Sequence, residues 1–294
     1  MSRRFALLVN PASAGGKALQ ALPEVHAALD RFGAAHRTIT TRSIEHAGEE
    51  AARAAEHGET VAALGGDGLL RPIAGALKNR ESPLALIPCG RGNDLARVLE
   101  IPRDLTEATR IAVEGDERLL DVANVDGTPY MGIASLGFDS DANRIANEAK
   151  LVPRKAVYLY AGLRALAAWK PAGFTVTVDG RRHDVRGYTV AVGNSRSYGG
   201  GMLLLPEAEL DDGILDVFVS KESSKLTFLR GIPKVFRGTH VDSPYVDTMR
   251  GEVVEVSSDR PFVVYADGDP IAATPTTMRV ERRCLRVIVP RATA

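Results

Sequence analysis

The sequence contains little of what marks several specialised classes of protein. Two cysteines in 294 residues exclude a disulfide framework, and we expect Cys89 and Cys284 to pack as small apolar side chains in a reducing cytoplasm. Basic and acidic residues number 37 each, so the net charge of +0 gives no indication of a nucleic-acid partner. No apolar run approaches the ~18 residues of a membrane span. Phe5–Val9 is too short for the core of a secretion signal.

Several familiar catalytic signatures are absent as well. The six histidines have no second histidine or cysteine at the spacing of metal ligands, which argues against a zinc site. No serine stands in a Gly-x-Ser-x-Gly elbow, which argues against hydrolase chemistry. The sequence also lacks the Walker pattern and a Gly-x-Gly-x-x-Gly turn that opens a helix. A nucleotide site must therefore be built in another way.

An apolar strand runs directly into a glycine-rich loop at Val61–Leu70. The glycines of Gly65–Gly68 allow positive φ angles and let a ligand approach the main chain closely. The helix-like segment Leu69–Leu77 follows, and a helix N-terminus favours an anion such as phosphate. Asp67 beside a phosphate makes chemical sense if a divalent cation lies between them. An ordinary tight turn explains these four residues equally well.

The same order of strand, glycine-bearing loop and helix occurs three times in the first part of the chain. The other two loops, Asn10–Lys17 and Cys89–Asp94, follow the apolar runs Phe5–Val9 and Pro83–Pro88. In an open α/β sheet, loops at the carboxyl ends of parallel strands gather at one edge, where ligands bind. This recurrence favours a phosphate site over a simple turn.

Near residue 122 the sequence changes from alternating strand and helix patterns to a succession of strand patterns with little helix. We predict an α/β domain over residues 1–122 and a mainly antiparallel β domain over residues 123–294. Helices are predicted at 22–32, 45–56, 69–77, 95–99, 155–169 and 225–237. Strands of the second domain are predicted at 122–125, 130–134, 174–178, 182–193, 202–205, 214–220, 251–257, 262–266 and 278–289.

Acidic loops recur in the second domain. They are Gly137-Phe138-Asp139, Asp211-Asp212-Gly213 and Asp267-Gly268-Asp269, and Gly199-Gly200-Gly201 precedes the second of them. Each alone is more simply explained as a hairpin turn, since Asp-Gly is a strong turn signal. Together with the glycine loops, they suggest a cleft with phosphate binders on one wall and carboxylates on the other. That arrangement suits phosphoryl transfer, in which one carboxylate accepts the proton of the attacking hydroxyl.

The ordered series of motifs resembles the diacylglycerol kinase catalytic family, which includes sphingosine and ceramide kinases and bacterial lipid kinases. The resemblance covers essentially the whole chain, and the order of six motifs is far more specific than any one of them. The motifs are Asn10-Pro11 with Ser13, Gly65-Gly66-Asp67-Gly68, Pro88-x-Gly90-x-Gly92-Asn93-Asp94, Gly137-Phe138-Asp139, Gly199-Gly200-Gly201 with Pro206, and Asp267-Gly268-Asp269.

The resemblance implies a Rossmann-like three-layer α/β domain, a C-terminal β-sandwich domain and an active site in the cleft between them. It implies an ATP-dependent kinase that uses Mg²⁺ and phosphorylates a lipid hydroxyl, diacylglycerol or a relative, during transient contact with a membrane surface. A homodimer is left open. Two other functions also stay open: a weakly active or inactive nucleotide- or lipid-binding module of the same fold, and an NAD kinase, because NAD kinases share the Gly-Gly-Asp-Gly loop.

The resemblance also implies roles for individual residues. Asp267 and Asp269 are the candidates for the proton acceptor. Asp67 and Asp121 would share a magnesium network, and a second, structural magnesium site would involve Glu209, Asp212 and Ile214. The nucleotide would be held by Asn10, Pro11, Ser13, Gly15, Gly16, Thr41, Gly65, Gly66, Asp67, Gly68, Leu69, Arg71, Gly90, Arg91, Gly92 and Asn93.

Four residues depart from the common family pattern. Leu69 and Arg71 stand where bacterial members usually have Thr and Asn, although leucine also occurs in the sphingosine kinase branch. Arg91 replaces a common threonine, and either arginine could grip a phosphate. Asp269 replaces a glutamate and shortens the reach by about one methylene, so Asp267 is at least as good a proton acceptor.

Basic residues could form surfaces that meet anionic lipid. Scattered basic residues are more often simply solvated. The residues concerned are Lys150, Arg154, Lys155, Lys221, Lys225, Arg230, Lys234 and Arg237.

Overall fold

The computed structural model describes residues 3–148 and 164–291. Its first part is a parallel sheet flanked by helices. The strands are β1 (Phe5–Val9), β2 (His36–Thr40), β3 (Thr60–Gly65) and β4 (Leu84–Pro88), and the helices are α1 (Lys17–Arg31), α2 (Ile44–Glu56), α3 (Asp67–Leu77), α4 (Asp94–Val98) and α5 (Leu105–Glu114). Strands β1, β3 and β4 are buried along their whole length, as expected of continuous apolar runs in a sheet covered on both faces.

The order of the parallel strands creates a crevice. Strand β1 pairs in parallel with both β2 and β3, and β3 pairs in parallel with β4, so the order is β2-β1-β3-β4. The chain therefore changes direction across the sheet between β1 and β3. Ligands of open α/β sheets bind outside the carboxyl ends of the strands at such a switch point. The loops after β1 and β3 flank this crevice.

The second part is mainly antiparallel. Its strands are β5 (Asp116–Val125), β6 (Thr128–Tyr130), β7 (Ile133–Gly137), β8 (Ala172–Val178), β9 (Arg181–Gly193), β10 (Leu215–Lys221), β11 (Val246–Gly251), β12 (Val253–Ser258), β13 (Val263–Ala266), β14 (Asp269–Ala273) and β15 (Thr276–Val289). Among the described residues, the helices α6 (Phe138–Glu148) and α7 (Lys225–Val235) accompany them, and residues 164–168 are also helical. Strand β15 joins the two parts, because it pairs antiparallel with β12 and β5 and in parallel with β4 at Val287 and Leu84.

The predicted fold class, an α/β domain followed by a mainly antiparallel β domain, is confirmed. Residue 122 lies inside β5, whose side chains divide between two cores: Leu120 and Val122 pack in the first, Ala123 and Val125 in the second. The boundary at residue 122 itself stays a prediction. Both cysteines are free thiols, as expected, and Cys284 is buried. No helix within residues 3–148 and 164–291 is long and apolar enough to cross a membrane.

Some predicted elements were wrong or incomplete. Residues 202–205 form no strand, because Leu204 and Leu205 are buried as a loop against Ile133 and Phe218. The predicted strand 130–134 is broken at residues 131 and 132. Strand β14 and helix α5 were missed, although Asp104 caps α5 by accepting from the Glu107 N–H, a pairing visible in the sequence. Most of the predicted helix 155–169 lies outside the described residues. The part of it that is described is helical at residues 164–168.

Candidate functional site

The glycine loops after β3 and β4 touch each other. A Cβ atom added to Gly66 would lie 3.0 Å from the Cα of Gly90, and one added to Gly90 would collide with the Cα of Gly66. Gly92 is equally confined, because its Cβ would lie 2.8 Å from Asp67 Oδ2. The glycines at 65, 66 and 68 would allow positive φ angles, but none of them has one. Close approach of two loops, not left-handed backbone, requires glycine here.

Asp67 begins α3 and points towards the N-terminus of α4. Its Oδ1 accepts from the Leu95 N–H at 3.4 Å, and the N–H groups of Asn93 and Asp94 also stabilise its charge. Burial nevertheless raises the pKa of Asp67, and the nearby Asp94 carboxylate raises it further. The site therefore holds acidic groups at a cost that a bound cation would remove.

Asp267 lies on the opposite wall, in the hairpin turn between β13 and β14. Its φ of 52° and that of Gly268, 93°, are the paired left-handed values of a tight hairpin turn. The turn and the site are thus the same residues. Oδ2 accepts from the Met131 N–H and Oδ1 from the Gly132 N–H, each at 2.9 Å. Burial, reinforced by Asp67, raises the pKa of Asp267 to about 6 despite these bonds.

Asp269 is held by an arginine from the first domain. Arg71 Nη2 donates to Asp269 Oδ2 at 3.2 Å, across 198 positions of sequence. The Arg71 side chain is 15% exposed, that of Asp269 36%, and the Arg71 Nε is buried without a hydrogen-bond partner. Arg71 and Asp269, which both differ from the common family pattern, therefore contact each other across the cleft.

One large cavity connects these groups. Its volume is about 1000 Å³, and it extends from Asp67, Arg91 and Asp267 to the inner side of α7. Its far end is lined by apolar side chains: Ile133, Phe138, Met202, Leu204, Phe218, Phe228, Ile232 and Val235. The cavity is thus polar at the glycine loops and mainly apolar towards α7, where Arg230 and Lys234 also line it.

A buried polar cluster in the wall of this cavity contains Asp139, whose loop was expected at the cleft but for which no role was predicted. Tyr198 donates to Asp139 Oδ2 at 3.1 Å, and Thr189 donates to Asp139 Oδ1 at 3.5 Å. Burial raises the pKa of Asp139 to about 6. Asp94 was missed as well; it accepts from the Gly200 N–H at 2.9 Å and so fastens the triple-glycine loop to the first domain. The sequence marks both segments through the motifs Gly137-Phe138-Asp139 and Gly199-Gly200-Gly201, but not the contacts that they make.

The predicted nucleotide residues do not all face the cavity. Asp67, Arg91 and Gly92 line it, and Gly65 lies beside Ser13, whose Oγ would be 3.2 Å from an added Cβ. Leu69 is buried in the core, and its N–H donates to the Gly66 carbonyl, so the structure leaves it no group for a nucleotide. The Thr41 hydroxyl donates to the Val9 carbonyl and is buried.

The remaining residues of the predicted set belong to the loops themselves. Asn10 Oδ1 accepts from the Ala12 N–H at 2.9 Å, which shapes the first loop. Asn93 Oδ1 accepts from the Gly90 N–H, also at 2.9 Å. The other members of the set lie in the same loops or next to them and include Pro11, Gly15, Gly16 and Gly68.

The predicted metal residues fall into two separate groups. Asp121 is fully buried and accepts from the N–H groups of Gly213 and Arg283, each at 2.6 Å. Burial raises its pKa, and its acidic neighbours are Asp212 and Asp211, not Asp67. In the described part of the chain, no three His, Cys, Asp or Glu side chains are arranged to hold a metal ion.

The predicted second magnesium site already carries cationic partners. Asp212 forms an ion pair with Arg250 and accepts from the Ile214 N–H at 3.0 Å. Asp211 is paired with Arg118 at 2.7 Å, and Glu209 is exposed. The charges of Asp211 and Asp212 are therefore already balanced by arginines without a metal ion. A metal would have to compete with Arg250 and Arg118, and the second magnesium site stays a prediction.

Comparison with known proteins decides the family. Residues 4–125 match the family model of the diacylglycerol kinase catalytic domain, and residues 132–289 match that of the YegS C-terminal NAD kinase beta sandwich-like domain. A diacylglycerol kinase of Mycobacterium tuberculosis strain H37Rv is 33% identical over 97% of this chain and 94% of its own. The chain belongs to the diacylglycerol kinase catalytic family.

Other relatives agree. A probable lipid kinase YegS-like of Pseudomonas fluorescens is 32% identical over 99% of this chain and 97% of its own. A crystal structure of a diacylglycerol kinase from Bacillus anthracis has the same fold, with a TM-score of 0.72 at 20% identity over 98% of this chain and 97% of that one. Membership confirms the predicted resemblance and the predicted class of activity, an ATP-dependent phosphotransferase with a lipid acceptor.

Proposed function

We propose that this kinase transfers the γ-phosphate of ATP to the free hydroxyl of diacylglycerol or a closely related acylglycerol at a membrane surface. The cavity carries this proposal. The whole cavity has a volume of about 1000 Å³. Its polar end is formed by the glycine loops, Asp67 and Asp267, and its far end is mainly apolar. A neutral lipid with two acyl chains needs such a combination, whereas NAD would leave the apolar end unfilled.

Asp267 is our candidate for the proton acceptor. Its pKa of about 6 keeps it ionised at neutral pH and still basic enough to accept a proton from an alcohol in the transition state. The N–H groups of Met131 and Gly132 fix its orientation. Asp269 is engaged by Arg71, so we assign it a positioning role instead.

Asp67 and Asp94 would hold Mg²⁺ together with phosphate oxygens, since two carboxylates alone do not complete a metal site. Burial and the Asp94 carboxylate both disfavour the charged form of Asp67, and a bound cation would reverse this. Carboxylate oxygens are the ligands that Mg²⁺ prefers. When bound, the ion would neutralise charge on the phosphates during transfer. The neighbouring glycine loops would bind phosphate oxygens through backbone N–H groups.

A radiolabelled ATP assay with mixed micelles of different acceptors tests the proposal. We expect a labelled organic-phase product with diacylglycerol, and none with NAD. The variant Asp267→Asn should lower kcat by about 10²–10⁴ with little change in the KM for ATP, because it removes only the proton acceptor. Labelled product from ceramide or sphingosine but not diacylglycerol would overturn the substrate, and unchanged kcat in Asp267→Asn would overturn the assignment. ATP binding without any turnover would support a binding module.

A further inference from the structure

Helix α7 covers the apolar end of the cavity and packs against the hydrophobic clusters through Phe228 and Val235. None of its eleven residues is buried. Eight large apolar side chains are exposed in the described part of the chain, and five of them lie on this helix or beside it. These five are Leu226 (57% exposed), Leu229 (36%), Ile232 (39%), Phe236 (53%) and Tyr245 (43%). The fold thus places a concentrated apolar surface at one location.

The same surface is basic. Lys225, Arg230, Lys234 and Arg237 lie on α7 or just after it, and the sequence has no acidic residue between Glu222 and Asp242. None of the four forms an ion pair with a carboxylate in the described ranges. Lys221, which the sequence grouped with them, differs because it is paired with Asp247 at 2.7 Å. Lys150, Arg154 and Lys155 lie outside the described residues.

The inner side of α7 belongs to the cavity. Phe228 stacks on Tyr188 with ring centroids 4.3 Å apart and meets Phe138 edge-on at 5.0 Å. Val235 also lines the cavity. The exposed side chains of Arg230, Ile232, Lys234 and Phe236 line the cavity too, so the helix forms the rim between its apolar end and the outside.

We propose that α7 and its flanks form the surface with which this kinase lies on an anionic bilayer, directly over the route by which the lipid reaches the cavity. The proposal rests on the proposed lipid kinase function. Leu226 and Leu229 would enter the acyl boundary, while Arg230, Lys234 and Arg237 meet lipid phosphates. Apolar side chains interleaved with basic ones on a short helix are typical of interfacial membrane binding.

Vesicle sedimentation of the full chain tests this surface. We compare Leu226→Gln/Leu229→Gln with the matched control Leu19→Gln/Ile44→Gln, whose leucine and isoleucine are 42% and 43% exposed on α1 and α2. The α7 variant should bind phosphatidylcholine–phosphatidylglycerol vesicles about 10-fold more weakly or worse, since each leucine contributes roughly half of a full transfer to the acyl phase. The control should bind like wild type. Equal binding by wild type and the α7 variant would overturn the proposal.

A second variant isolates the charge. Arg237→Gln should bind anionic vesicles about fivefold more weakly than wild type, and Arg31→Gln, an exposed arginine on α1, should not. The difference should vanish in vesicles of phosphatidylcholine alone. Equal losses in the two arginine variants would overturn the role of this surface in anionic binding.

Turnover separates failure of this inference from failure of the proposed function. Leu226 and Leu229 do not line the cavity, so their variant should phosphorylate a short-chain diacylglycerol dispersed in detergent as wild type does and lose activity only on vesicles. No turnover of any lipid by wild type would reject the function instead. A change of oligomeric state in the α7 variant with unchanged vesicle binding would assign the surface to a second copy of the chain and overturn the proposal.

Discussion

The contact between Arg71 and Asp269 makes the sharpest prediction about how the two domains are held together. At a separation of about 4 Å and an effective dielectric constant of about 20, two unit charges attract by about 4 kcal/mol. Solvent reaches Asp269, whose side chain is 36% exposed, so screening and desolvation should remove more than half of this. We therefore expect a coupling free energy of about 1–2 kcal/mol in a double-mutant cycle.

The two single variants should differ. Arg71→Met keeps the aliphatic stem and leaves an aspartate that water can solvate, so it should cost about 1 kcal/mol of unfolding free energy. Asp269→Ala leaves the mostly buried guanidinium, whose Nε already lacks a partner, and should cost about 2 kcal/mol. Equilibrium unfolding in urea measures both. The matched control is Arg282 and Glu252, paired at 2.8 Å with side chains 57% and 60% exposed, for which we expect a coupling of at most about 0.5 kcal/mol.

Additive costs at Arg71 and Asp269, within about 0.5 kcal/mol, would refute this reasoning. Activity gives an independent check in the same variants. If Asp267 is the proton acceptor, Arg71→Met/Asp269→Asn should retain most of kcat. Loss of kcat by a factor of about 10² or more in Asp269→Asn, whatever stands at position 71, would transfer the proton acceptor to Asp269.

Three further predictions concern the loops, the pH dependence and the metal. Gly90→Ala should cost about 2–4 kcal/mol of stability or abolish ATP binding, because its Cβ meets the Gly66 Cα, while Gly68→Ala, with open space around it, should be nearly neutral in the same urea titration. Because the pKa of Asp267 is about 6, log kcat/KM should fall by about one unit per pH unit below pH 6 and level off above it in a pH–rate profile. A raised carboxyl pKa also means that folding stability contributed by Asp267 declines as pH rises from about 4 to 6, which urea titrations at several pH values detect against Asp267→Asn. Because Arg250 already pairs with Asp212, chelating divalent ions should leave the thermal midpoint of the nucleotide-free protein unchanged, and a drop of several degrees would support the predicted structural metal instead.

Local sequence patterns predicted much of the fold because the relevant forces are local. Continuous apolar runs made β1, β3 and β4 recognisable, and the carboxyl ends of such strands must gather at one edge of the sheet. The Asp-Gly pair at 267 alone indicated a turn, and the structure shows that turn with Asp267 at the wall of the cavity. The strand predicted at residues 202–205 was wrong because an apolar run indicates only burial. A loop can also be buried when its backbone groups find hydrogen-bond partners elsewhere.

The parts of the site that were missed depend on contacts between distant segments. The bond from Tyr198 to Asp139 and that from Gly200 to Asp94 join positions 59 and 106 residues apart. No periodicity or turn signal encodes such pairs. Asp121 was grouped with Asp67 by family resemblance alone, whereas burial and backbone donors place it against the loop at Gly213.

The pairing of Arg71 with Asp269 changes the meaning of two departures from the family pattern. Each alone suggested impaired activity, because an arginine beside the phosphates and a shortened acid both alter positions expected to touch substrate. Together they form a contact in which the longer side chain from α3 reaches the shorter one on β14. The Arg71 guanidinium already occupies one acceptor oxygen of Asp269, so a substrate hydroxyl would have to compete for that carboxylate. If Asp267, whose charged form is disfavoured by burial, is the proton acceptor, the substitution at 269 need not slow the chemistry.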